Sequence, residues 1–133
     1  MAGETNLQTL LNGMQPLLSS TPFTFTTIAS RHELPDFIEI LASFKEDEGE
    51  SLIAPLDDVA RAGLMHSGPW AKISLTIHSS LSAVGLTAAI ATALADIGIS
   101  ANVVAAYFHD HVFVPWDRRD EAMEALTRLK RSA

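Results

Sequence analysis

The residues best suited to bind a small molecule lie between a predicted strand and a predicted helix, in the segment HSSLSAVG from His78 to Gly85. With Ser82 as the helix N-cap, the backbone N–H groups of the first helical turn have no partner inside the helix. No Asp or Glu occupies that turn, so its partial positive charge is available to a carboxylate or phosphate. The segment therefore predicts an anion-binding site. Its candidate residues are His78, Ser79, Ser80, Ser82, Ala83, Val84, Gly85 and Leu86.

Two features, Gly85 and Asn102, add to this candidate site. Glycine costs about 1 kcal/mol inside a helix, so Gly85 is best explained where a ligand or another backbone comes close. Asn102 opens the strand after the helix, where its amide can bind an amino or carboxylate group. A purely structural explanation stays open, in which the serines cap the helix, Gly85 relieves packing against a strand and Asn102 is a turn residue.

The histidines suggest a metal site as an alternative, since imidazole and carboxylate groups bind zinc and similar metals. The candidate ligands are His78, His109, Asp110 and His111. The HDH triplet lacks a second spaced pair of ligands of the kind that makes zinc motifs specific. His109 and Asp110 also suit the turn of a two-residue hairpin. We therefore expect no metal and no cofactor, and keep a histidine-based metal enzyme as an alternative.

Nucleophilic catalysis has no convincing set of residues in this sequence. The chain has no cysteine and no G-x-S-x-G elbow. His78 and Ser79 are adjacent, so on a strand they point to opposite faces. The acidic run at residues 46–50 is typical of a solvated turn, and no glycine-rich phosphate loop is present. The sequence therefore predicts a protein that is not an enzyme.

Charge and hydropathy exclude two further classes of partner. The 133 residues carry nine Lys and Arg against sixteen Asp and Glu, a net charge of −7, which disfavours nucleic-acid binding. The most apolar run, Leu81–Ile99, contains Asp96 and lacks the flanking charge asymmetry of a membrane span. The cysteine-free sequence gives no sign of an oxidising compartment, and the N-terminus lacks the basic start of a signal peptide. We expect a cytoplasmic protein that binds neither nucleic acid nor membrane.

The first half of the chain predicts a small α+β unit. Alternating aromatic and β-branched residues indicate strands, and a Ser-Gly-Pro breaker near residue 68 marks a boundary. The predicted units are residues 1–67 and residues 68–133. The predicted elements of the first are a short helix at Leu7–Met14, a turn-rich break at residues 16–22, strands at Phe23–Ile28 and Phe37–Phe44, a hairpin return at Ser51–Ala54 through the turn KEDEG, and a helix at about Asp57–Ala62. For Phe37–Phe44 a helix stays open, because Asp36 and Glu39 resemble the start of a capping box, but the hairpin favours a strand.

The second half gives sharper signals in the order β-α-β-β-α. The predicted elements are a strand at Ala71–Ile77, a helix from about Ala83 to Ile97, strands at Asn102–Phe108 and His111–Val114, and a final helix capped by Asp117. The apolar residues of the first strand alternate with polar ones, which indicates one buried face. A ferredoxin-like sheet needs one further strand, and Phe23–Ile28 could supply it.

Three stretches carry a resemblance to a known family: EDEGESLIAP, ISLTIHSSLSAVGLTAAIATALADIGISANVVAAYFHDHVFVP and the final helix. From about Leu10 to Leu129 the chain resembles small bacterial proteins built from tandem ACT-like units. The resemblance implies an α+β, ferredoxin-like antiparallel sheet with helices on one face, in two tandem units. It also implies that the loop from His78 to Gly85 contacts a ligand, that Asn102 helps to hold it, and that units pair side by side.

The function that the resemblance implies is regulation. ACT domains commonly bind amino acids and thereby control metabolic enzymes. We therefore expect a sensor-like module that binds an amino acid or another small carboxylate, forms a homodimer through its alanine-lined helix and an open sheet edge, and acts on a metabolic-enzyme partner. The rival prediction is a structural or protein-interaction module without a ligand.

Overall fold

The computed structural model describes residues 11–76 and 85–132 of the chain. By its internal contacts the chain divides into two units, which we call unit A, Ser20–Ala71, and unit B, Met1–Ser19 together with Lys72–Ala133. Residues 11–19 thus group with the second half of the chain. The division of the sequence into residues 1–67 and 68–133 stays a prediction.

The fold is α+β with antiparallel strands, as the sequence predicts. In chain order the elements are β1 (Pro16–Leu18), β2 (Phe23–Ile28), a first 3₁₀ turn (Arg31–Glu33), β3 (Ala42–Glu46), β4 (Gly49–Pro55), α1 (Leu56–Arg61), β5 (Trp70–Leu75), α2 (Leu86–Ala95), β6 (Asn102–Ala105), β7 (Asp110–Pro115), a second 3₁₀ turn (Trp116–Arg118) and α3 (Arg119–Ser132). Within the described ranges, no helix is long and apolar enough to span a membrane.

Unit A is built on an antiparallel sheet in the order β3–β4–β2. The predicted strand at β2 is confirmed, and from Thr24 onward its buried residues alternate with more exposed ones. The buried hydroxyls of Thr24 and Thr26 donate to the backbone carbonyls of Ser67 (2.6 Å) and Met65. These bonds satisfy polar groups whose burial would otherwise cost free energy, and they fix the segment after α1 beside β2.

The predicted strand at Phe37–Phe44 is displaced towards the C-terminus. The hairpin forms as expected, but its first strand is Ala42–Glu46 and only residues 47–48 form the turn. The register pairs Ala42 with Ile53, and β4 ends two residues later at Pro55. Residues before Ile40 therefore lie beyond the end of β4, although the alternation of Ile38 and Ile40 with Glu39 would suit a strand.

Unit B is built on strands in the order β1–β5–β7–β6. The predicted alternation on β5 is confirmed, since its apolar residues are fully buried and its polar residues are not. Helix α3 packs against α2 and against β1 and β7. The buried core of this unit includes Ile73, Leu75, Leu86, Ile90, Leu94, Val112, Val114 and Leu126.

The strand that completes the sheet of unit B is β1, in a segment predicted to be a turn. Leu17 pairs with Ser74, and Leu18 pairs with Ile73. Phe23–Ile28, the strand expected in this place, pairs with β4 in unit A and meets β5 at one position, Phe23 with Trp70. The sequence of β1 does not indicate a strand, because three residues are too few to show periodicity. Its first residue is a proline, which is tolerated at the start of a strand.

The hairpin between β6 and β7 turns at Tyr107 and Phe108, and the predicted turn at His109 and Asp110 is wrong. Ala105 pairs with Asp110, and the Ala106 N–H donates to the His109 carbonyl at 3.1 Å. The ladder therefore continues past His109 and closes around the two aromatic residues. Their rings are largely exposed and meet edge to face with centroids 4.9 Å apart.

The final helix begins two residues after the predicted cap. Asp117 lies in the second 3₁₀ turn, and α3 follows from Arg119. Asp120 and Glu121 occupy the first turn of α3, as predicted. Acidic side chains there stabilise the positive end of the helix dipole.

Candidate functional site

The structure describes three of the predicted site residues. Gly85, Leu86 and Asn102 lie within the described ranges. The others, His78, Ser79, Ser80, Ser82, Ala83 and Val84, lie outside the described residues.

Helix α2 begins at Leu86, later than predicted, and Gly85 is its N-cap rather than part of its first turn. The Gly85 carbonyl accepts the first helical hydrogen bond, from the Ala89 N–H at 2.8 Å. Gly85 has φ of 101° and ψ of −22°, a left-handed conformation that side chains disfavour. The need for glycine here is thus conformational, which the sequence alone did not reveal.

The start of α2 has the residue composition on which the predicted anion site rests. Because the helix begins at Leu86, the N–H groups without an intrahelical acceptor are those of Leu86, Thr87 and Ala88. The first turn contains no acidic residue. Leu86 is buried, whereas Thr87 and Ala88 are exposed. The positive end of the helix dipole lies on this turn, and binding of an anion there stays a prediction.

Asn102 lies near the opposite end of α2. It is exposed at the start of β6 and pairs with Phe113, two residues before the end of β7. Just beyond β7, the Arg118 guanidinium donates to the carbonyl of Ile97 at 2.9 Å, at the C-terminal end of α2. Ten residues of helix span about 15 Å. Gly85 and Asn102 are therefore far apart within one chain.

The exposed face of α2 is flat and nearly uncharged. Leu86, Ile90 and Leu94 are buried against unit B, as their spacing predicts. The opposite face consists of small residues, and only the residue after the helix, Asp96, is charged. The exposed residues on that face are Thr87, Ala88, Ala91, Thr92 and Ala95. Small side chains let another backbone approach closely.

β6 in unit B and β3 in unit A each end a strand order, and their sequences differ in how far they discourage pairing with another chain. β6, at one end of the strand order in unit B, has the sequence NVVA without charge or proline. β3, at one end of the order in unit A, contains Lys45 and Glu46. Charged residues on an outer strand discourage pairing with another chain. β6 is therefore the strand better suited to edge-to-edge association.

Unit A also has a short helical element after its first strand, but this element is capped by its own side chains. The Ser30 Oγ accepts from the His32 N–H at 3.2 Å, and the Glu33 carboxylate accepts from the N–H groups of Ala29 (2.7 Å) and Ser30 (2.9 Å). This capping box was not identified from the sequence, although Ser30 and Glu33 have the S-x-x-E spacing that indicates one.

An ion pair ties this turn to β4. Both nitrogens of the Arg31 fork donate to the Glu50 carboxylate, at 2.8 and 2.6 Å. The bonded guanidinium lowers the pKa of Glu50 below its usual value, and the carboxylate raises the pKa of Arg31. The acidic run at residues 46–50 is thus partly neutralised at its last member.

His111 lies on β7, and His109 lies one residue before that strand begins. His111 Nδ1 and Ser74 Oγ are hydrogen-bonded at 2.8 Å. Burial lowers the pKa of His111, the charges of Lys72 and His109 lower it further, and Asp110 opposes the shift. Residues 11–76 and 85–132 contain no group of three or more His, Asp or Glu arranged to hold a metal ion, and His78 lies outside these ranges.

Two regions of the chain match models of the ACT domain, residues 2–71 and residues 66–128. Together they cover nearly the whole sequence. No curated protein matches the chain.

Solved structures give the same fold. A protein of unknown function from Vibrio cholerae, VC0802, is 42% identical, with a TM-score of 0.83 over 93% of this chain and 95% of that one. The regulatory subunit of aspartate kinase from Thermus thermophilus is 15% identical, with a TM-score of 0.64 over 86% of this chain and 95% of that one. Atu0741 from Agrobacterium tumefaciens is 14% identical, with a TM-score of 0.71 over 88% and 89% of the two chains.

Proposed function

Since the chain belongs to the ACT domain family, we propose that it is a regulatory module that binds an amino acid or another small carboxylate and has no catalytic activity of its own. The observation that carries the proposal is the start of α2, where three N–H groups have no acceptor within the helix and the first turn contains no acidic residue. A ligand carboxylate there would accept from the N–H groups of Leu86, Thr87 and Ala88.

The ligand, in this proposal, binds between two copies of the chain. Gly85 and Asn102 lie near opposite ends of α2 in one chain. A twofold axis that sets two α2 helices antiparallel would bring the helix start of one copy beside Asn102 of the other. The amide of Asn102 would then bind the amino or carboxylate group at the other end of the ligand.

A homodimer of this kind has two matching surfaces available in unit B. The small-residue face of α2 allows close helix packing, and β6 offers an outer strand without charge or proline. A strand unprotected in this way is suited to pairing with its own copy. The regulated activity would lie on a separate metabolic enzyme, as for the regulatory subunit of aspartate kinase.

The first test is thermal unfolding of the full chain with each of the common amino acids and related carboxylates. A ligand that binds only the folded protein raises its stability by ~2.7 kcal/mol at 100 times its dissociation constant. We expect a selective shift that disappears in Thr87→Asp, since the new carboxylate would occupy the positive end of α2. Asn12→Asp, which adds the same charge at an exposed position of unit B outside α2 and β6, is the control and should keep the response.

Absence of any shift across the panel would favour the rival function, a protein-interaction module without a ligand. The exposed Tyr107 and Phe108 at the β6–β7 turn support that rival. Aromatic side chains are enriched in the contact surfaces of protein complexes.

A further inference from the structure

The sheet of unit A has a groove beside β2 that the proposed amino-acid site in unit B does not use. Thr24 and Thr26 are buried, so Phe25 and Thr27 lie on the opposite face of β2, which we call the outer face. This face and the segment at residues 65–67 line a groove of about 290 Å³. The volume is at the lower end of the range for small-molecule pockets, about 300–1,000 Å³, so the groove suits a ligand with one aromatic ring.

One wall of the groove, the segment at residues 65–67, is held in place by hydrogen bonds from β2. The Thr24 hydroxyl accepts from the Ser67 N–H at 2.8 Å and donates to the Ser67 carbonyl at 2.6 Å. The Thr26 hydroxyl donates to the Met65 carbonyl. Both threonines are buried, where water competes little for these bonds. The groove therefore forms without a ligand.

The surface of the groove is largely apolar. Phe25, Met65 and small polar side chains line it, and the described residues that line it include no Asp, Glu, Lys or Arg. Met65 is 81% exposed, and Phe44, which pairs with Ser51 of β4, is 72% exposed. Large apolar side chains grouped around a concave surface, rather than scattered singly, are typical of a binding site. An apolar ligand group would remove this surface from water.

A carboxylate adjoins the groove at the end nearer the β3–β4 turn. Ser51 lines the groove, and its hydroxyl donates to the Glu46 carboxylate. Glu46 and Phe44 are two positions apart on β3 and so lie on the outer face, whereas Lys45 lies on the other face. The turn at residues 47–48 adds two exposed acidic side chains. This end of the groove therefore attracts a cation and repels an anion.

We propose that the groove binds a small aromatic amine, with the ring against Phe25 and Met65 and the ammonium group at the Glu46 carboxylate. The exposed Phe44 ring, on the same face as Glu46, adds to the attraction, because aromatic faces attract cations. The charge preference is opposite to that of the start of α2. The site lies within unit A and needs neither α2 nor a second copy of the chain.

The test uses three compounds that share a phenylethyl group and differ in charge, namely phenethylammonium chloride, phenethyl alcohol and sodium hydrocinnamate. Each is titrated into the full chain at constant ionic strength, and the backbone N–H resonances are followed by NMR. We expect saturable shifts at residues 25–27 and 65–67 with the amine. The alcohol should bind about two- to fivefold more weakly, as for the loss of an exposed ion pair, and the carboxylate more weakly still.

Variants connect the charge preference to one carboxylate. Glu46→Gln should weaken amine binding about two- to fivefold and leave alcohol binding unchanged, because the amide oxygen can still accept from Ser51. Glu48→Gln removes the same charge from the adjoining turn and is the matched control, with a smaller expected effect. Thr27→Phe adds a ring at an exposed position of β2 and should abolish binding of all three compounds by filling the groove.

The proposal is overturned if the shifts do not saturate, lie outside the groove, or are as large with hydrocinnamate as with the amine. It is also overturned if Glu48→Gln weakens amine binding as much as Glu46→Gln. Dissociation of a dimer by Thr27→Phe, measured by sedimentation equilibrium, would show that a second copy covers this face and would overturn it too. These outcomes leave the amino-acid site untouched, because the amine has no carboxylate for the start of α2.

Discussion

The helical element that follows β2 in unit A and the one that follows β5 in unit B differ at their N-terminal ends. In unit A, the 3₁₀ turn after β2 is satisfied internally, because the Glu33 carboxylate accepts two backbone N–H bonds and Ser30 accepts a third. In unit B, α2 begins after a left-handed glycine, and its first turn contains no acidic residue. An internal carboxylate thus occupies in unit A the position that an external one could take in unit B.

The two helical elements thus differ in the side chains that the sequence places at their N-terminal ends. The turn after β2 is capped by its own side chains, whereas the ten-residue helix α2 has no acidic residue in its first turn. We therefore place the proposed ligand site in unit B and expect a structural role for the turn of unit A.

The largest expected effect is at Gly85. Gly85→Val places a β-branched residue at φ of 101° and should lower the free energy of unfolding by about 1–3 kcal/mol, measured by urea denaturation. Gly13 lacks a positive φ and has open space where a side chain would lie, so Gly13→Ala is the control and should change stability by less than about 0.5 kcal/mol. Equal effects of the two substitutions would contradict the conformational role of Gly85.

The next effect concerns association through β6. Ala105→Lys adds charge to an exposed position of this strand and should weaken the proposed dimer about tenfold or more, because a lysine on an outer strand disfavours pairing. Sedimentation equilibrium measures the change. Ser43→Lys on β3 is the matched control, and a larger effect of Ser43→Lys would move the dimer interface to unit A.

A smaller change in stability is expected at the capping box of unit A. Glu33→Ala removes the acceptor for the Ala29 and Ser30 N–H groups and should cost about 0.5–2 kcal/mol. Ligand binding should be unaffected, because the site lies in unit B. Loss of the ligand response in a folded Glu33→Ala protein would show that unit A contributes to binding.

The smallest effect is the pH dependence from His111. Its pKa is lowered in the folded state, first by burial and then by Lys72 and His109, so the unfolded chain binds the proton more readily. The contribution to stability is therefore present above the unfolded pKa of about 6.5 and is lost as the pH falls through it. Urea denaturation between pH 8 and 5 measures how the free energy of unfolding depends on pH. His111→Gln should make this dependence weaker, whereas His66→Gln at an exposed position should not.

Much of the fold could be predicted because its elements have strong periodicity. The alternation on β5, the buried stripe of α2 and the hairpin of β3 and β4 follow from side-chain patterns that the core imposes. The missed strand β1 and the wrong start of β3 have a shared cause. The bounds of both strands are determined by the position of a partner strand, which local sequence does not encode.

The composition of the candidate site could be predicted from the sequence, but the geometry of its described residues could not. The absence of acidic residues at the start of α2 is visible in the sequence, and the structure retains it. The left-handed conformation of Gly85 and the separation of Gly85 from Asn102 depend on where α2 begins and how β6 pairs. The position of the β6–β7 turn at Tyr107 and Phe108, rather than at the predicted His109 and Asp110, also depends on how the two strands pair.

Mixing two variants that each fail to bind tests whether one ligand bridges two copies of the chain. Thr87→Asp blocks the helix start and Asn102→Leu removes the amide, so neither homodimer should bind the ligand identified by thermal unfolding. Mixed dimers would regain one intact site, and calorimetry of a randomly mixed 1:1 sample should recover about a quarter of the wild-type sites. If binding stays absent although mixed dimers form, or if either variant alone still binds, the shared site is contradicted.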